Sequence, residues 1–570
     1  MPVEQVTATS VPADLWLRPR SAGRVVETGT ALLYLDADRV LKRHRPAGPP
    51  AGPPAGPATA GAEAPAFHGR LARLAACRAE VRLNQPLAPG VYAGVADVVD
   101  GRGALCDHAV VMRRLPASRQ LTALVRAGAP LNEQLRHVAR AIASFHERCA
   151  PAVITPASIT SATICPAIVS PGTVSPGTVS PGTVSPGTVS PGTAALPLPA
   201  AAGGPNVVGV STAVVGPGES GAERQWREAF AAAQALRGTV LDADLVDEIG
   251  RLAQAYLAGR RGLLARRDRG GWIRDGHGAL RADTVYCLDD GPRILGRPVR
   301  GRRAGDILAD IALLAVDLER LGAPEDADTL LRRYREYAGA PHPRSLEHLH
   351  LACRALQEAA ATYAGDPHEG EQARRLADIA YRHLRRARVR LVLVGGLPGT
   401  GKTTLAGRLA AGDEGRVLLR SDLVRAGLTL DGPDDATESY VWPLASETTA
   451  RTYEQLLAQA RRALDDGETV VIDASWSDGR HRAAAARLAR DTSAELIELR
   501  CVTSPEVAAA RLVRRDAAGR PGATQSDQAG ATAAVHRAMS SWAEPWPTAR
   551  VIQTTVPEGE AFHAAERCVV

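Results

Sequence analysis

Short apolar runs separated by turn residues open the chain. Between residues 22 and 45, Arg24-Val-Val-Glu, Ala31-Leu-Leu-Tyr-Leu and Val40-Leu-Lys predict strands, with a turn at Thr28-Gly-Thr. From Phe67 to Leu83 the apolar spacing turns helical (Leu71, Leu74, Ala75, Val81), and Pro86 to Pro89 ends it. Strands return at 91–98 and 108–114, followed by helices over 118–148. Further helices are predicted around 225–236 and over 241–268, then a turn-rich segment at 271–300, then helices over 305–338 and 344–390. At Val389 the pattern changes. Val-Arg-Leu-Val-Leu-Val reads as a buried strand running straight into a glycine loop, and short apolar strands then alternate with helices at 417–420, 468–473, 494–502 and 549–553. That alternation means βαβ units around a parallel sheet.

Two stretches carry no such period. Residues 47–65 are Pro, Gly and Ala except for Thr59 and Glu63, and predict an extended, solvated loop. Over 150–222, Val-Ser-Pro-Gly-Thr repeats in tandem from Val169 to Thr193. A five-residue unit containing Pro-Gly builds turns but no buried face, so this insert reads as disordered.

Composition sets the frame for these elements. At 570 residues the chain is too long for one core, which predicts two or three domains. No run of 18 apolar residues occurs, and the N-terminus lacks a basic segment followed by an apolar one. This argues against a membrane span and a secretion signal. The eight cysteines are scattered with no C-x-x-C pair, the pattern of reduced thiols in a cytoplasmic protein. A formal charge of +6 spread along the chain permits contact with nucleic acid without favouring it. Lysine usage is sharper. Of 68 basic residues, every one is Arg except Lys42 and Lys402. Where arginine has replaced lysine almost everywhere, a retained lysine points to a need for a compact ammonium, and both are candidate phosphate contacts.

Lys402 lies in Gly396-Leu397-Pro398-Gly399-Thr400-Gly401-Lys402-Thr403, which fits G-x-x-x-x-G-K-[ST] between a strand and a helix that begins near Thr404. The glycines allow backbone N–H groups to turn inward around phosphate oxygens, and the helix N-terminus adds its positive end. Lys402 is expected to bridge the β- and γ-phosphates of ATP and Thr403 to ligate Mg²⁺. The next strand ends in Arg420-Ser421-Asp422, where Asp422 reads either as the acceptor-activating base or as the N-cap of the next helix. Arg425, one turn on, suits an anionic part of the substrate. Asp473 ends the strand Thr469-Val-Val-Ile-Asp, the position of a carboxylate that orients Mg²⁺ or its water. Arg511, Arg514 and Arg515 lie on a helix at 506–516, either as a charge-neutralising lid or as a solvated basic face.

GGLPGTGKTTLA, RSDLVR and VVIDASW together resemble the P-loop kinases that include zeta toxins, chloramphenicol phosphotransferase and the 5′-kinase part of polynucleotide kinases, within the AAA family ATPases. The resemblance covers about 389–560 and implies that Asp422 is the base and Arg425 a substrate or phosphate contact.

Upstream, His277-Gly-Ala279-Leu-Arg281-Ala-Asp283-Thr284, the hairpin at Asp289-Asp290-Gly and Gly305-Asp306-Ile-Leu-Ala-Asp310 resemble the catalytic loop of aminoglycoside phosphotransferase-like kinases. Lys42 and Glu80 match that family's phosphate-clamping pair. The departures weigh more than the match. The family's catalytic Asp corresponds to Ala279 here, and its two metal-binding positions correspond to Thr284 and Gly296. The resemblance therefore implies an α+β bilobal protein-kinase-like domain without its acids, fused to an α/β P-loop NTPase with a parallel sheet. Such fusions are often labelled bifunctional phosphotransferase/ATP-binding proteins. On this reading 1–21 is an N-terminal tail, 22–149 the N-lobe and start of the C-lobe, 150–222 the insert and 223–345 the degenerate C-lobe. A helical connector follows at 346–388, and the P-loop kinase occupies 389–560.

The expected function is phosphotransfer from ATP with Mg²⁺ to a hydroxyl of a small molecule or nucleotide, with the N-terminal domain regulating or docking. Two alternatives stay open: a 5′-polynucleotide kinase, and a non-enzymatic ATP-dependent switch.

Overall fold

A first sheet forms wherever the short apolar runs find antiparallel partners. In the computed structural model of the chain, β1 (Gln5–Ala8), β2 (Arg24–Glu27), β3 (Ala31–Leu35), β4 (Arg39–His44), β5 (Tyr92–Val99) and β6 (Leu105–Arg113) make one six-stranded sheet in the order β1-β5-β6-β4-β3-β2. Every pairing in it is antiparallel. The helix α1 (Arg70–Asn84) is inserted between β4 and β5 and buries Ala76, Cys77 and Glu80. The structure describes residues 5–8, 24–28, 31–45, 69–99, 104–151, 219–298, 304–339, 341–363, 366–412, 415–430, 447–519, 539–541 and 543–569. The loop read at 47–65 and nearly all of the repeat-bearing insert lie outside them. Within the segment read as a tail, Gln5–Ala8 is a strand paired with β5.

Helices dominate the next region: α2 (Leu121–Arg126), α3 (Asn132–Arg148), α4 (Gly221–Gln234), α5 (Ala243–Gly259) and α6 (Arg261–Arg269). Order resumes before residue 223, because Ser220 caps α4 in a capping box with Glu223. The turn-rich segment carries β7 (Ile273–Asp275), the hairpin β8 (Val285–Leu288) and β9 (Gly291–Ile294), and β10 (Ala304–Asp306), with Asp289-Asp290 at the hairpin turn. Then come α7 (Ile307–Arg320), α8 (Pro324–Ala338), α9 (Arg344–Thr362) and α10 (Pro367–Ala387). Twelve consecutive residues of α7, Ile307 to Leu318, are buried, and α9 buries His348, Leu349 and Leu356 among others. The 346–388 segment read as a connector is thus built into the hydrophobic core.

The last region is the βαβ array. It comprises β11 (Arg390–Gly395), α11 (Lys402–Ala410), β12 (Val417–Arg420), α12 (Ser421–Leu430), α13 (Glu447–Asp465), β13 (Val470–Asp473), α14 (Gly479–Asp491), β14 (Glu495–Val502), α15 (Pro505–Gly519), β15 (Arg550–Gln553) and α16 (Glu558–Val569). Its five strands run parallel in the order β12-β13-β11-β14-β15. All six residues of β11 are buried, as a central strand covered on both faces requires. Leu391 and Leu393 pack into the core shared with the upstream helices, whereas Val392 and Val394 face a second core with Leu405, Leu409 and Ile552. The period of two along the strand divides these residues between the two faces. β11 sits at the centre, so the loop after it opens at the C-terminal edge of the sheet, where open α/β folds bind ligands.

Candidate functional site

The loop that leaves β11 turns on three glycines. Gly396, Gly399 and Gly401 have φ values of 142°, 81° and 83°, which side chains rarely adopt. Space forbids a side chain as well. A Cβ on Gly396 would lie 2.6 Å from the Cys501 carbonyl, and one on Gly399 would lie 2.6 Å from the Ala508 carbonyl. Thr400 closes the turn, its N–H and hydroxyl both donating to the Leu397 carbonyl at 3.3 and 2.7 Å. Gly401 then caps α11 in the left-handed region, so Lys402 and Thr403 form the first turn of the helix. A reach across the sheet supports this loop: the Thr554 hydroxyl, just beyond β15, donates to the Thr400 carbonyl at 2.6 Å. Arg511 donates to the Thr554 carbonyl at 2.6 Å, and its Nη1 lies 3.4 Å from where a Cβ on Gly401 would be.

Asp473 ends β13 and stands in register with Val394 of β11 on one side and Arg420 of β12 on the other. It is 4 % exposed. Burial raises the pKa of its carboxyl, opposed by the Thr403 hydroxyl that donates to it and by the Lys402 charge. Its Oδ1 has no hydrogen-bond partner among the described residues. A buried, unpartnered carboxylate oxygen beside a threonine hydroxyl is a donor set that suits Mg²⁺ or one of its waters. No group of three or more His, Cys, Asp or Glu side chains converges among the described residues. A cation here would therefore draw its remaining ligands from substrate oxygens and water.

Asp422 opens α12 with its side chain 60 % exposed, clamped by Arg420 through Nε–Oδ1 at 3.1 Å and Nη2–Oδ2 at 2.6 Å. Partial burial works to raise the pKa of this carboxyl, but the Arg420 hydrogen bonds and charge hold it below the ordinary carboxylate value. Arg425 is exposed on the same helix, close enough to Tyr453 for its charge to act on that hydroxyl. Tyr453 organises the loop after β13. Its hydroxyl accepts from the Trp476 N–H at 3.1 Å and lies 3.2 Å from Ser475 Oγ. Its ring stacks on His481 with centroids 3.9 Å apart. Trp476 itself is held at φ 54° and is 1 % exposed. Arg515 lies on α15, but its side chain falls outside the described residues.

The sequence left three contributors unmarked: Arg420 as a clamp, Thr554 as a strut under the loop, and Tyr453 as the anchor of Ser475 and Trp476. Arg420 is the first residue of the quoted RSDLVR and so carried a local signal. Thr554 lies 154 residues from Thr400 and carried none.

In the antiparallel sheet, Lys42 Nζ meets Glu80 Oε1 at 2.8 Å, and His44 Nε2 lies 3.1 Å from Glu80 Oε2. Burial works to raise the Glu80 pKa, and Lys42 and His44 bring it below the ordinary value. Elsewhere Asp310 accepts from the Gly278 N–H at 2.8 Å and lies 3.1 Å from His146 Nε2, which fixes the loop bearing Ala279. Thr284 and Gly296 come together: a Cβ on Gly296, at φ 82°, would lie 3.2 Å from Thr284 Cγ2. Next to them, Arg297 Nη2 pairs with Asp275 Oδ2 at 2.8 Å.

The AAA domain family model matches residues 391–546, so the C-terminal region is a P-loop kinase-like domain. The uncharacterized protein Rv2004c of Mycobacterium tuberculosis is 30% identical over 554 residues, covering 95% of this chain and 94% of its own. The uncharacterized protein Mb2027c of Mycobacterium bovis matches to the same extent. Among solved structures, the Mycobacterium tuberculosis APS kinase CysC in complex with AMPPNP and APS is 21% identical, covering 32% of this chain and 96% of its own with a TM-score of 0.23. A gluconokinase from Sinorhizobium meliloti is 16% identical, covering 31% and 89%, also at 0.23. Among the described residues no helix is long and apolar enough to cross a membrane, and the seven described cysteines are free thiols.

Proposed function

The chain belongs to the family of the Mycobacterium tuberculosis protein Rv2004c, and from that premise we infer that its C-terminal domain transfers the γ-phosphate of ATP to a hydroxyl of a small molecule or nucleotide. One observation carries the reading. A loop of three left-handed glycines delivers Lys402 and Thr403 to the start of α11 beside a buried carboxylate oxygen that has no hydrogen-bond partner among the described residues.

Each residue has a role that its position suits. The N–H groups of 396–403 cradle phosphate oxygens, and Lys402 neutralises charge at the β- and γ-phosphates. Thr403 and Asp473 would hold Mg²⁺, which when bound offsets phosphate charge at the transferred group. The acceptor oxygen bonds to the γ-phosphorus as the bond to the bridging β,γ-oxygen breaks, and ADP leaves. The acceptor's proton passes to the Asp422 carboxylate. A base of low pKa is adequate here, because a loose transition state asks for proton removal only late. Arg425, whose charge reaches the Tyr453 hydroxyl, would hold the acceptor. Arg515 on α15 remains a candidate for neutralising charge over the phosphates.

The N-terminal region is read as a kinase-like domain that has lost its chemistry. Its Lys42–Glu80 pair at 2.8 Å would still clamp phosphates. Ala279, however, offers no base, and the juxtaposed Thr284 and Gly296 offer no carboxylate for a metal. Regulation or substrate docking is the role left to it.

Incubating the protein with γ-labelled ATP and a metabolite extract, beside Lys402→Ala, tests the assignment. A labelled small molecule that disappears in the variant is the expected result. Release of inorganic phosphate with no labelled acceptor would replace the kinase reading with an ATP-driven switch. Label confined to a 5′-hydroxyl oligonucleotide, and steeply lost with salt, would make it a polynucleotide kinase.

A further inference from the structure

The end of α10 and the start of β11 place Arg382, His383, Arg385, Arg386, Arg388 and Arg390 within nine residues. Four of these arginines, Arg382, Arg385, Arg386 and Arg390, line one cavity of about 340 Å³ together with Glu319 of α7 and Asp328 of α8. The lining thus sets four arginines against two carboxylates. Glu319 is already shared, 3.3 Å from Arg382 Nη2 and 2.7 Å from His383 Nε2. Arg390 leans on Glu495, a residue outside the cavity, at 3.3 Å, and Arg388 uses the same carboxylate at 3.1 Å. The Arg385 guanidinium pairs with no carboxylate among the described residues. Basic residues in the last turn of a helix complement its dipole, and that accounts for Arg385 and Arg386 taken alone. Arg390 lies beyond the helix, is 4 % exposed and borders the cavity, with its guanidinium donating to the Arg385 and Arg388 carbonyls at 3.3 and 3.4 Å.

We propose that this cavity is a second anion site, distinct from the phosphate loop, which binds a small phosphate-bearing molecule. Planar guanidinium forks match phosphate oxygens bidentately, and a volume of this size lies at the lower end of small-molecule sites. The site opens at the beginning of β11, the strand whose other end delivers the phosphate loop. It does not depend on the phosphotransfer reading.

Calorimetry on the full chain carrying Lys402→Ala, without magnesium, tests this with inorganic pyrophosphate and with AMP as probes. One probe molecule per chain is expected, with affinity at least tenfold weaker when Arg385→Ala and Arg386→Ala are added. Arg375→Ala, which removes an exposed arginine paired with Glu371 on the same helix, should leave affinity unchanged. Tighter binding of AMP assigns the site to phosphate esters, and tighter binding of pyrophosphate assigns it to the free inorganic anion. The proposal fails if the Arg385/Arg386 pair makes no difference, or if Arg375→Ala weakens binding equally. It also fails if a single-stranded oligonucleotide binds where neither small anion does, which would make this face a nucleic-acid surface.

Discussion

Arg420 grips Asp422 with two parallel hydrogen bonds, at 2.6 and 3.1 Å, across only one intervening residue. On the proposed reading the clamp orients the carboxylate that would meet the acceptor, and it lowers that carboxyl's pKa. A base works only when ionised, so transfer should fall as pH drops through the Asp422 pKa. Because Arg420 lowers that pKa, Arg420→Ala should move the acid limb of the kcat profile to higher pH. Asp422→Ala should cut transfer by at least a hundredfold while ATP affinity stays within about threefold. An acid limb that stays in place in Arg420→Ala would remove Asp422 from the role of base.

The phosphate loop should tolerate no side chain at Gly399. Its φ of 81° is costly for alanine, roughly 1–3 kcal/mol, and the added Cβ would also lie 2.6 Å from the Ala508 carbonyl and 3.0 Å from Leu512 Cγ. Gly399→Ala should lower the melting temperature of the C-terminal transition by several degrees and weaken ATP binding more than tenfold. By contrast Gly407→Ala, in mid-helix with open space around it, should be neutral or slightly stabilising. Equal behaviour of the two variants in a thermal scan would refute this account of the loop.

What the sequence made legible here is what local chemistry encodes. The apolar run before Gly396, the alternation of strands after it and the Asp-Asp-Gly hairpin all depend on neighbours within a few residues, and each forms as expected. Relationships made by folding were not legible. Nothing at Thr554 announces that its hydroxyl will brace Thr400. Four residues at Gln5–Ala8 are too few to show a period, and their strand exists because β5 offers an edge. The Arg420 clamp was hidden for another reason: adjacent charges meet or miss according to backbone direction, which the sequence does not state.

Stability in acid should fail through the helical region first. Asp306 is buried with Arg267 at 2.6 Å, and Glu347 is buried with Arg335 at 2.6 Å and His342 at 3.3 Å. Burial raises each carboxyl pKa, but the paired cations outweigh it and bring both to about 2. Their folded values thus lie below the ordinary 3.8 and 4.5, so their contribution is complete above about pH 4.5 and lost as pH falls toward 2. Glu347→Gln should therefore lower the urea midpoint markedly at pH 7 and progressively less at pH 4 and 3. A deficit of the same size at every pH would mean that packing, not charge, is what Glu347 supplies.

Phosphotransfer should have a single origin in this chain. A second active centre in the N-terminal region would need a base where Ala279 stands and carboxylates where Thr284 and Gly296 touch. Two of the nearby acids are committed elsewhere: Asp290 pairs with Arg293 at 2.6 Å and Asp275 with Arg297 at 2.8 Å. Lys402→Ala removes the ammonium of the phosphate loop and leaves Lys42 and Glu80 untouched, so it separates the two regions cleanly. Transfer from labelled ATP by this variant should fall to the level of the protein-free control, not to a reduced plateau. A plateau that survives Lys402→Ala and vanishes on adding Lys42→Ala would place working chemistry in the antiparallel sheet and its helices. The loss of Ala279, Thr284 and Gly296 as functional positions would then have to be compensated by acids such as Asp283, which is exposed beside the loop.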